Sequence, residues 1–600
     1  MKRILPLFLL PFVAAAAAHT PRGLVVDDLT LLPPSSWCCG SLLLRAEVRN
    51  PTASDQRVRI RFGNDYNARW GMGDAWSDLV VPAGGRSLCE IPLPRCGHSG
   101  MDKLYAIDAS GRKTDVSASS IAQYGGDYSL HDPLLFYLSR SLSGERLRDQ
   151  LSARADALAK AGTLTIPSYR SELQMFVARA GDFAEAWPGD WRAYSVFAAV
   201  FIAERDAPDL PAAAKAALRD YAAAGGRVFF VGGDAPPPGF EDAPFAPLSL
   251  PADSAPLAAA VPPAVKAAAR CGMGLLATVP DSVAMPGGGD MADDLATFLL
   301  RQALHAARTL GNPDDVLRKF FPSAASAGKP PRPPVGLFLL LLAAFAVLAG
   351  PVSIWRLARR NRRIHILWVL PAISAAFSAA ILLALLLGEG VRPTVRLQSA
   401  VLLDQRAGRA LVRSSASFYS PLTLGAIDFP TDASVSRLNT ADGGQVEIGR
   451  TARYLGWIPP RTMGAFGLAS VRATPLRLDV RRDPATGALA AVNAFGAPIE
   501  SLLLFDDAGA SWGAADVAPG ATAALAANPT AGPLRAEALG CLLDALRYGN
   551  GDLSADAFTR PEIPARRFYV AVLPAAPFEP DPLPGRTARR SGKTIVYGAY

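Results

Sequence analysis

The apolar and polar positions along the chain change period several times, and each change marks a different kind of element. Two runs carry no period at all. VGLFLLLLAAFAVLAGPVSIW (Val335 to Trp355) and ILWVLPAISAAFSAAILLALLLG (Ile366 to Gly388) are apolar on every face. Each has about the 20 residues that a helix needs to cross a hydrocarbon core about 30 Å thick, so the pattern predicts transmembrane helices over 335–355 and 366–388. The alternative, a buried hairpin in a large soluble core, fits poorly because strands and charges resume at once on both sides.

Elsewhere the pattern is periodic. Residues 20–118 hold short alternating segments such as SLLLRAEVRN, QRVRIRFGN and KLYAIDASG, separated by Pro, Gly, Asn and Asp turns. They predict an all-β, immunoglobulin-like sandwich. Over 128–321 near-continuous apolar strands (DPLLFYLSRS, ELQMFVAR, VFAAVFIAE, RVFFVGG, CGMGLLATVPD) alternate with helical stretches at 143–162, 209–226 and 291–311. That alternation predicts an α/β domain, a parallel sheet with helices on both faces. Asp209 is the expected cap of its helix and Gly225–Gly226 the expected stop. A Pro-rich linker, 322–334, reads as an extended stalk. Residues 392–600 alternate again and predict a mainly-β region of one or two sandwiches, with a helix over 534–548.

Charge adds orientation. The chain has 61 Lys and Arg against 53 Asp and Glu, a net charge of +8. Five arginines, Arg356, Arg359, Arg360, Arg362 and Arg363, crowd the ten-residue loop 356–365 between the apolar runs. No basic stripe interleaved with aromatics occurs elsewhere, which argues against a nucleic-acid partner. The segment 1–18 has a basic end, an apolar stretch and a run of alanines, the three parts of a secretory signal. Export of the residues after that signal, together with the positive-inside rule, places the arginine loop in the cytoplasm and both large regions outside. The expected location is therefore a bacterial inner membrane, multi-pass, with the lipid bilayer as one partner and membrane or periplasmic proteins as others. Neither apolar run carries a charge, which argues against an ion pathway.

Candidate chemistry is sparse. Cys89 and Cys96 flank EIPLPR and could close a small disulfide loop, with Cys38 or Cys39 as competitors; adjacent Cys38 and Cys39 lack the spacing of a zinc site. Phe62, Trp70 and Trp76 could form a carbohydrate-type aromatic patch, although core and rim aromatics of a small sandwich look the same in sequence. Of the five histidines, His131 alone falls near a plausible cleft, and it sits at strand entry, the wrong end of an open α/β sheet for a ligand. PGGGD (Pro286 to Asp290) lacks the Lys-Ser/Thr of a phosphate loop. No catalytic, cofactor or metal residue is assigned.

The run W-P-G-D-W-x-x-Y (Trp187 to Tyr194), the segment L-x-D-Y-x-x-x-G-G-R-V-F-F-V-G-G (Leu218 to Gly233) and C-G-M-G-L-L from Cys271 resemble the class I glutamine amidotransferase-like, flavodoxin-like fold. In order of parts the chain resembles uncharacterised bacterial membrane proteins that carry such a domain: signal peptide, β-sandwich, amidotransferase-like domain, two helices with Gly350–Pro351 between them and the arginine loop, and a β-rich tail. True amidotransferases place a nucleophilic Cys in a G-x-C-x-G turn. Here the turn after RVFFV reads Gly232-Gly233-Asp234-Ala235-Pro236-Pro237-Pro238. The prolines exclude the helix whose N-terminus would lower a thiol pKa. The resemblance thus implies a catalytically degenerate domain, a pseudoenzyme, in a non-catalytic scaffold or envelope-complex subunit. The alternatives are a periplasmic hydrolase or amidase with an unrecognised site, and a polysaccharide- or ligand-sensing accessory subunit of a transport system.

Overall fold

The computed structural model describes residues 18–19, 24–32, 42–63, 75–93, 103–108, 110–115, 134–162, 164, 175–180, 187–240, 262–272, 274–284, 290–311, 335–360, 363–389, 392–437, 444–482, 487–508, 510–527 and 567–600. The expected signal segment up to residue 17, the 322–334 linker, the 534–548 helix, Trp70, His131 and Cys96 lie outside these residues. The molecule is multidomain: several β-sheets, an α/β unit and two long apolar helices.

The α/β unit shows how a continuous apolar strand serves two cores. Six strands lie in the spatial order Met175–Arg179, Leu134–Leu138, Ala199–Ala203, Arg227–Val231, Gly274–Val279, Ala267–Cys271. Every pairing is parallel except that of the last two. Because side chains alternate across a strand, Leu134, Phe136 and Leu138 enter one core with Phe201 and Phe229, while Leu135 and Tyr137 enter another with Val200, Ile202, Val228 and Phe230. The first core is covered by helices Gly144–Lys160 and Asp293–Gly311, through Leu147, Leu151, Leu295 and Leu299. The second is covered by helix Ala212–Ala223 and the short turn Trp191–Tyr194, and continues into the β-regions.

Two local expectations are corrected. Helix Ala212–Ala223 is capped by Pro211, not Asp209, with no side-chain cap bond. Pro211 instead accepts the Lys215 amide at its carbonyl (3.0 Å), and proline suits a helix entry because its missing N–H would be unpaired there anyway. Cys271 does not start a strand; it ends the antiparallel edge strand Ala267–Cys271. The turn after it uses Gly272 at φ +59°, where a Cβ would sit 2.5 Å from the Ala223 carbonyl oxygen.

The β-regions do not divide where composition changes. A seven-stranded sheet runs Ala426–Pro430, Thr451–Leu455, Gln445–Ile448, Ala75–Val81, Gln56–Gly63, Lys103–Asp108, Lys113–Asp115. Its first three strands follow the apolar helices in sequence and its last four precede them. The joint is a parallel pairing of Val446, Glu447 and Ile448 with Ala75, Trp76 and Ser77. Strands Leu42–Arg49 and Arg86–Leu93 belong to a four-stranded sheet whose Leu44, Ala46, Val48 and Ile91 share a core with Val58, Ile60 and Phe62. In the tail, a nine-stranded sheet sets Thr394–Asp404 parallel to Arg589–Ala599 at its centre. A three-stranded sheet, with Leu478, Leu489 and Ala491, closes a separate core against it.

Both apolar helices are long and apolar enough to cross a membrane. The first extends from Val335 to Arg359, so Arg356 and Arg359 sit on its last turn and not in a loop. At Leu348–Val352 it widens to a π-turn around Pro351, whose missing N–H interrupts the ladder. The Ser353 hydroxyl donates to the carbonyls of Ala349 (2.5 Å) and Gly350 (3.1 Å) within the widened turn. Phe345 meets Phe377 of the second helix, Ile366–Glu389, edge to face at 5.6 Å.

Candidate functional site

The carboxyl ends of the parallel strands come first, because ligands of open α/β sheets gather there, at the point where strand order reverses. That point lies between Leu134–Leu138 and Ala199–Ala203, and the loops leaving it are laced together. The Asp206 carboxylate accepts from the Ser141 amide (3.1 Å) and hydroxyl (2.5 Å). Ser139 Oγ accepts from the Ala203 amide (2.9 Å), and Arg205 donates to the Ser141 carbonyl (3.0 Å). Burial pushes the Asp206 carboxyl up, but the bonds from Ser141 and Ser139 outweigh it and hold it below its ordinary value. After the fourth strand, Gly232 (φ +101°) lies under Asp281, whose Oδ1 would be 2.3 Å from an added Cβ, and Asp234 pairs with Lys266. These tips bind one another.

A cavity lies elsewhere, on the face of the α/β unit that meets the β-regions. It measures about 560 Å³, within the range of small-molecule sites. The W-P-G-D-W segment forms one wall: Trp187, Pro188, Gly189, Asp190, Trp191 and Arg192. Pro211, Ala213 and Asp220 of the adjoining helix continue it, Leu43, Arg45 and Glu90 come from the N-terminal sandwich, and Asp432 and Val471 from the tail. Local structure explains the wall. Asp190 caps the Trp191–Tyr194 turn by accepting from the Arg192 amide (2.9 Å), and Tyr194 OH donates to the Pro188 carbonyl (2.9 Å). Trp187 stands edge-on to Tyr137 at 5.3 Å, and Tyr137 contacts Tyr194 and Phe197.

Each carboxylate of the lining faces an arginine. Arg45 lies 3.6 Å from Glu90, Arg192 pairs with Asp190, Arg409 reaches Asp220 at 2.5 Å, and Arg472 reaches Asp432 at 3.6 Å. Burial raises the Asp220 carboxyl against the opposing pull of Arg409. Arg192 also donates to the Thr431 carbonyl, tying the motif to the tail. Behind Asp432, Arg472 approaches Glu579 (3.7 Å), whose side chain is 2 % exposed and accepts from the Ser414 hydroxyl (2.9 Å). Burial lifts the Glu579 carboxyl above its ordinary 4.5, with Arg472 and Ser414 opposing. Folding therefore takes up a proton there: the stability is fully present below the unfolded pKa and is lost as pH rises through the folded value. Glu579→Gln keeps the acceptor for Ser414 and removes this loss. Its thermal midpoint is expected to fall less than wild type's between mildly acidic and neutral pH, measured by scanning calorimetry.

The residues singled out in the sequence do not converge on this cavity. Cys89 is a free, buried thiol, pushed up to about 12 chiefly by burial, with Ser77 beside it; its candidate partner Cys96 is outside the described residues. Cys271 is likewise a buried thiol, raised by burial, and its Sγ donates to the Arg219 carbonyl (3.6 Å). Phe62 is core, and Trp76 is 8 % exposed with Arg59 over its ring at 5.3 Å, so those two belong to the sandwich interior. Arg356, Arg359 and Arg360 are exposed, Arg359 stacking on Trp355 at 4.0 Å; Arg363 begins the turn Arg363–His365, and Arg362 is outside the described residues. The W-P-G-D-W motif was the available signal for the cavity, but its partners Arg45, Glu90 and Asp432 lie far away in sequence.

No family model matches the chain, and no curated protein is similar to it. Among solved structures, a cycloisomaltooligosaccharide glucanotransferase of Paenibacillus sp., complexed with cycloisomaltoheptaose, matches with a TM-score of 0.13 and 10 % identity. The match covers 35 % of this chain and 38 % of that one, and at this score it carries no argument about fold or activity.

Proposed function

We propose that the protein is a non-catalytic scaffold or subunit of an envelope complex, anchored in a bacterial inner membrane by its helical hairpin. Its amidotransferase-like α/β unit and β-regions form one periplasmic recognition body. The observation that supports this reading is the seven-stranded sheet assembled from sequence before and after the hairpin. Strands that share hydrogen bonds occupy one side of a bilayer, so the intervening chain crosses an even number of times. The arginines Arg356, Arg359 and Arg360 at the hairpin tip favour the cytoplasm for the turn. The strand tips, where an enzyme of this sheet type works, are occupied by mutual hydrogen bonds of Ser139, Ser141, Arg205 and Asp206, which favours recognition over turnover.

Alkaline phosphatase fused after Tyr600 is expected to be active, and the same reporter inserted between Arg360 and Arg363 inactive. An inactive fusion at Tyr600 overturns the topology. For the scaffold itself, purification from detergent-solubilised membranes is expected to retain a reproducible set of membrane or periplasmic partners. Reproducible isolation of the chain alone would count against it.

A further inference from the structure

We infer that the cavity between the α/β unit and the two β-regions is a binding site for a neutral oligosaccharide of about two or three sugar units. The inference deepens the recognition reading above and rests on it. The size suits such a ligand: about 560 Å³ is too small for a folded partner and larger than a single water or ion needs. The chemistry narrows the class. Glu90, Asp190, Asp220 and Asp432 each face an arginine, Arg45, Arg192, Arg409 and Arg472 respectively. A lining whose charges are already matched selects neither an anion nor a cation. It still offers planar, fixed donors and acceptors, because guanidinium and carboxylate groups keep hydrogen-bonding capacity beyond one pairing. Hydroxyl groups, which both donate and accept, are the ligand groups that such a surface serves. Half-buried Trp187 adds an indole surface beside these groups, and the C–H faces of sugar rings pack on aromatic rings while their hydroxyls project sideways.

A peptide fits less well. Extended peptides are held largely through main-chain hydrogen bonds, and the motif wall is interrupted by Pro188 and Pro211, which have no N–H to give. The lining also draws on three parts of the fold at once, so a ligand bound there stabilises their assembly by mass action.

The test uses the full chain in detergent micelles, with maltotriose, cellotriose and chitotriose as probes and trigalacturonate and trialanine as comparators. Binding is followed by tryptophan fluorescence and calorimetry. At least one neutral trisaccharide is expected to bind and to raise the melting temperature, with little dependence on salt. Trp187→Ala and Glu90→Gln are each expected to weaken that binding by about tenfold or more, a loss of about 1.4 kcal/mol or more. If Trp187→Ala does not fold, Trp187→Phe and Glu90→Gln decide the matter. The proposal is overturned if no neutral probe binds at about 10 mM, which corresponds to a Kd too weak for a specific site. Binding confined to the acidic or peptide probe overturns it as well, and so does undiminished affinity in the folded variants. Absence of saccharide binding by the wild-type chain alongside an intact partner complex removes this site and leaves the scaffold reading standing; saccharide binding by a chain that retains no partners separates them the other way.

Discussion

Trp457→Ala is expected to destabilise the joined β-regions severely. Trp457 is 1 % exposed and heads the fully buried side chains among the described residues. Its ring packs on Tyr454 (5.4 Å) and Phe466 (6.1 Å), which contact Phe429 and Phe418 in turn. Removing an aromatic side chain from such a cluster costs about 3–5 kcal/mol. A second cost is polar. The indole N–H donates to the Gln445 carbonyl (3.0 Å), a partly buried bond whose loss costs about 0.5–1.5 kcal/mol. Gln445 opens the strand Gln445–Ile448 that pairs with Ala75–Val81, so the damage falls on the joint between the two β-regions. In hydrogen-exchange experiments, amides of residues 75–81 and 445–448 are expected to lose protection together. Trp457→Phe, which keeps most of the packing and drops the N–H, is expected to lie between wild type and alanine. Unchanged protection at 75–81 in the alanine variant would refute the shared-sheet account.

Arg413→Ala is expected to loosen the α/β unit from the tail, at a cost of about 3 kcal/mol in denaturant unfolding, counting the lost charged hydrogen bond and the space left behind. Arg413 is 1 % exposed, and its guanidinium donates to the carbonyl of Ala224, the C-cap of helix Ala212–Ala223. A cation at that end also meets the negative pole of the helix. Four residues earlier on the same strand face, Arg409 pairs with Asp220 one turn back along the helix. Two arginines from one strand thus clamp the last turn of one helix. Arg409→Ala is expected to cost less, about 1 kcal/mol, because that pair is partly exposed and screened by solvent. Arg413→Lys is expected to recover only part of the loss, since an ammonium lacks the planar fork of a guanidinium. Equal stabilities for the Arg409→Ala and Arg413→Ala variants would contradict this ranking.

Much of the secondary structure was legible because local rules set it. The helical stretch expected over 143–162 is the helix Gly144–Lys160, with Ser143 as its cap, accepting from the Arg146 amide. The runs LLFYL, AVFIA and RVFFV are strands buried on both faces, as uninterrupted apolar segments bounded by turns should be. The strands between 426 and 473 are hard to pick out of the sequence. Several are four or five residues long, and Gln445–Ile448 and Thr451–Leu455 expose alternate positions, so their apolar signal is weak. The arginine cluster reads as a loop in sequence, yet Arg356 and Arg359 continue the helix, because arginine is a good helix former and nothing before Arg360 stops it.

The candidate site was less visible. Trp187 to Tyr194 could be noticed as a motif, but a motif does not say what stands opposite it. Arg45 and Glu90 face each other across neighbouring strands, and Asp432 enters from beyond the hairpin. No spacing rule links residues brought together by docking of separate sheets.

By itself the sequence determined the two apolar helices and the alternation of strand and helix over 134–311, since each depends on composition or period within one segment. Tertiary structure alone decided that strands on either side of the hairpin share a sheet, that Arg409 and Arg413 grip a distant helix, and that a charge-matched cavity opens where three parts meet. The reason is the same in each case: backbone hydrogen bonds and packing across hundreds of residues depend on which surfaces fit, and a linear pattern carries no record of that fit.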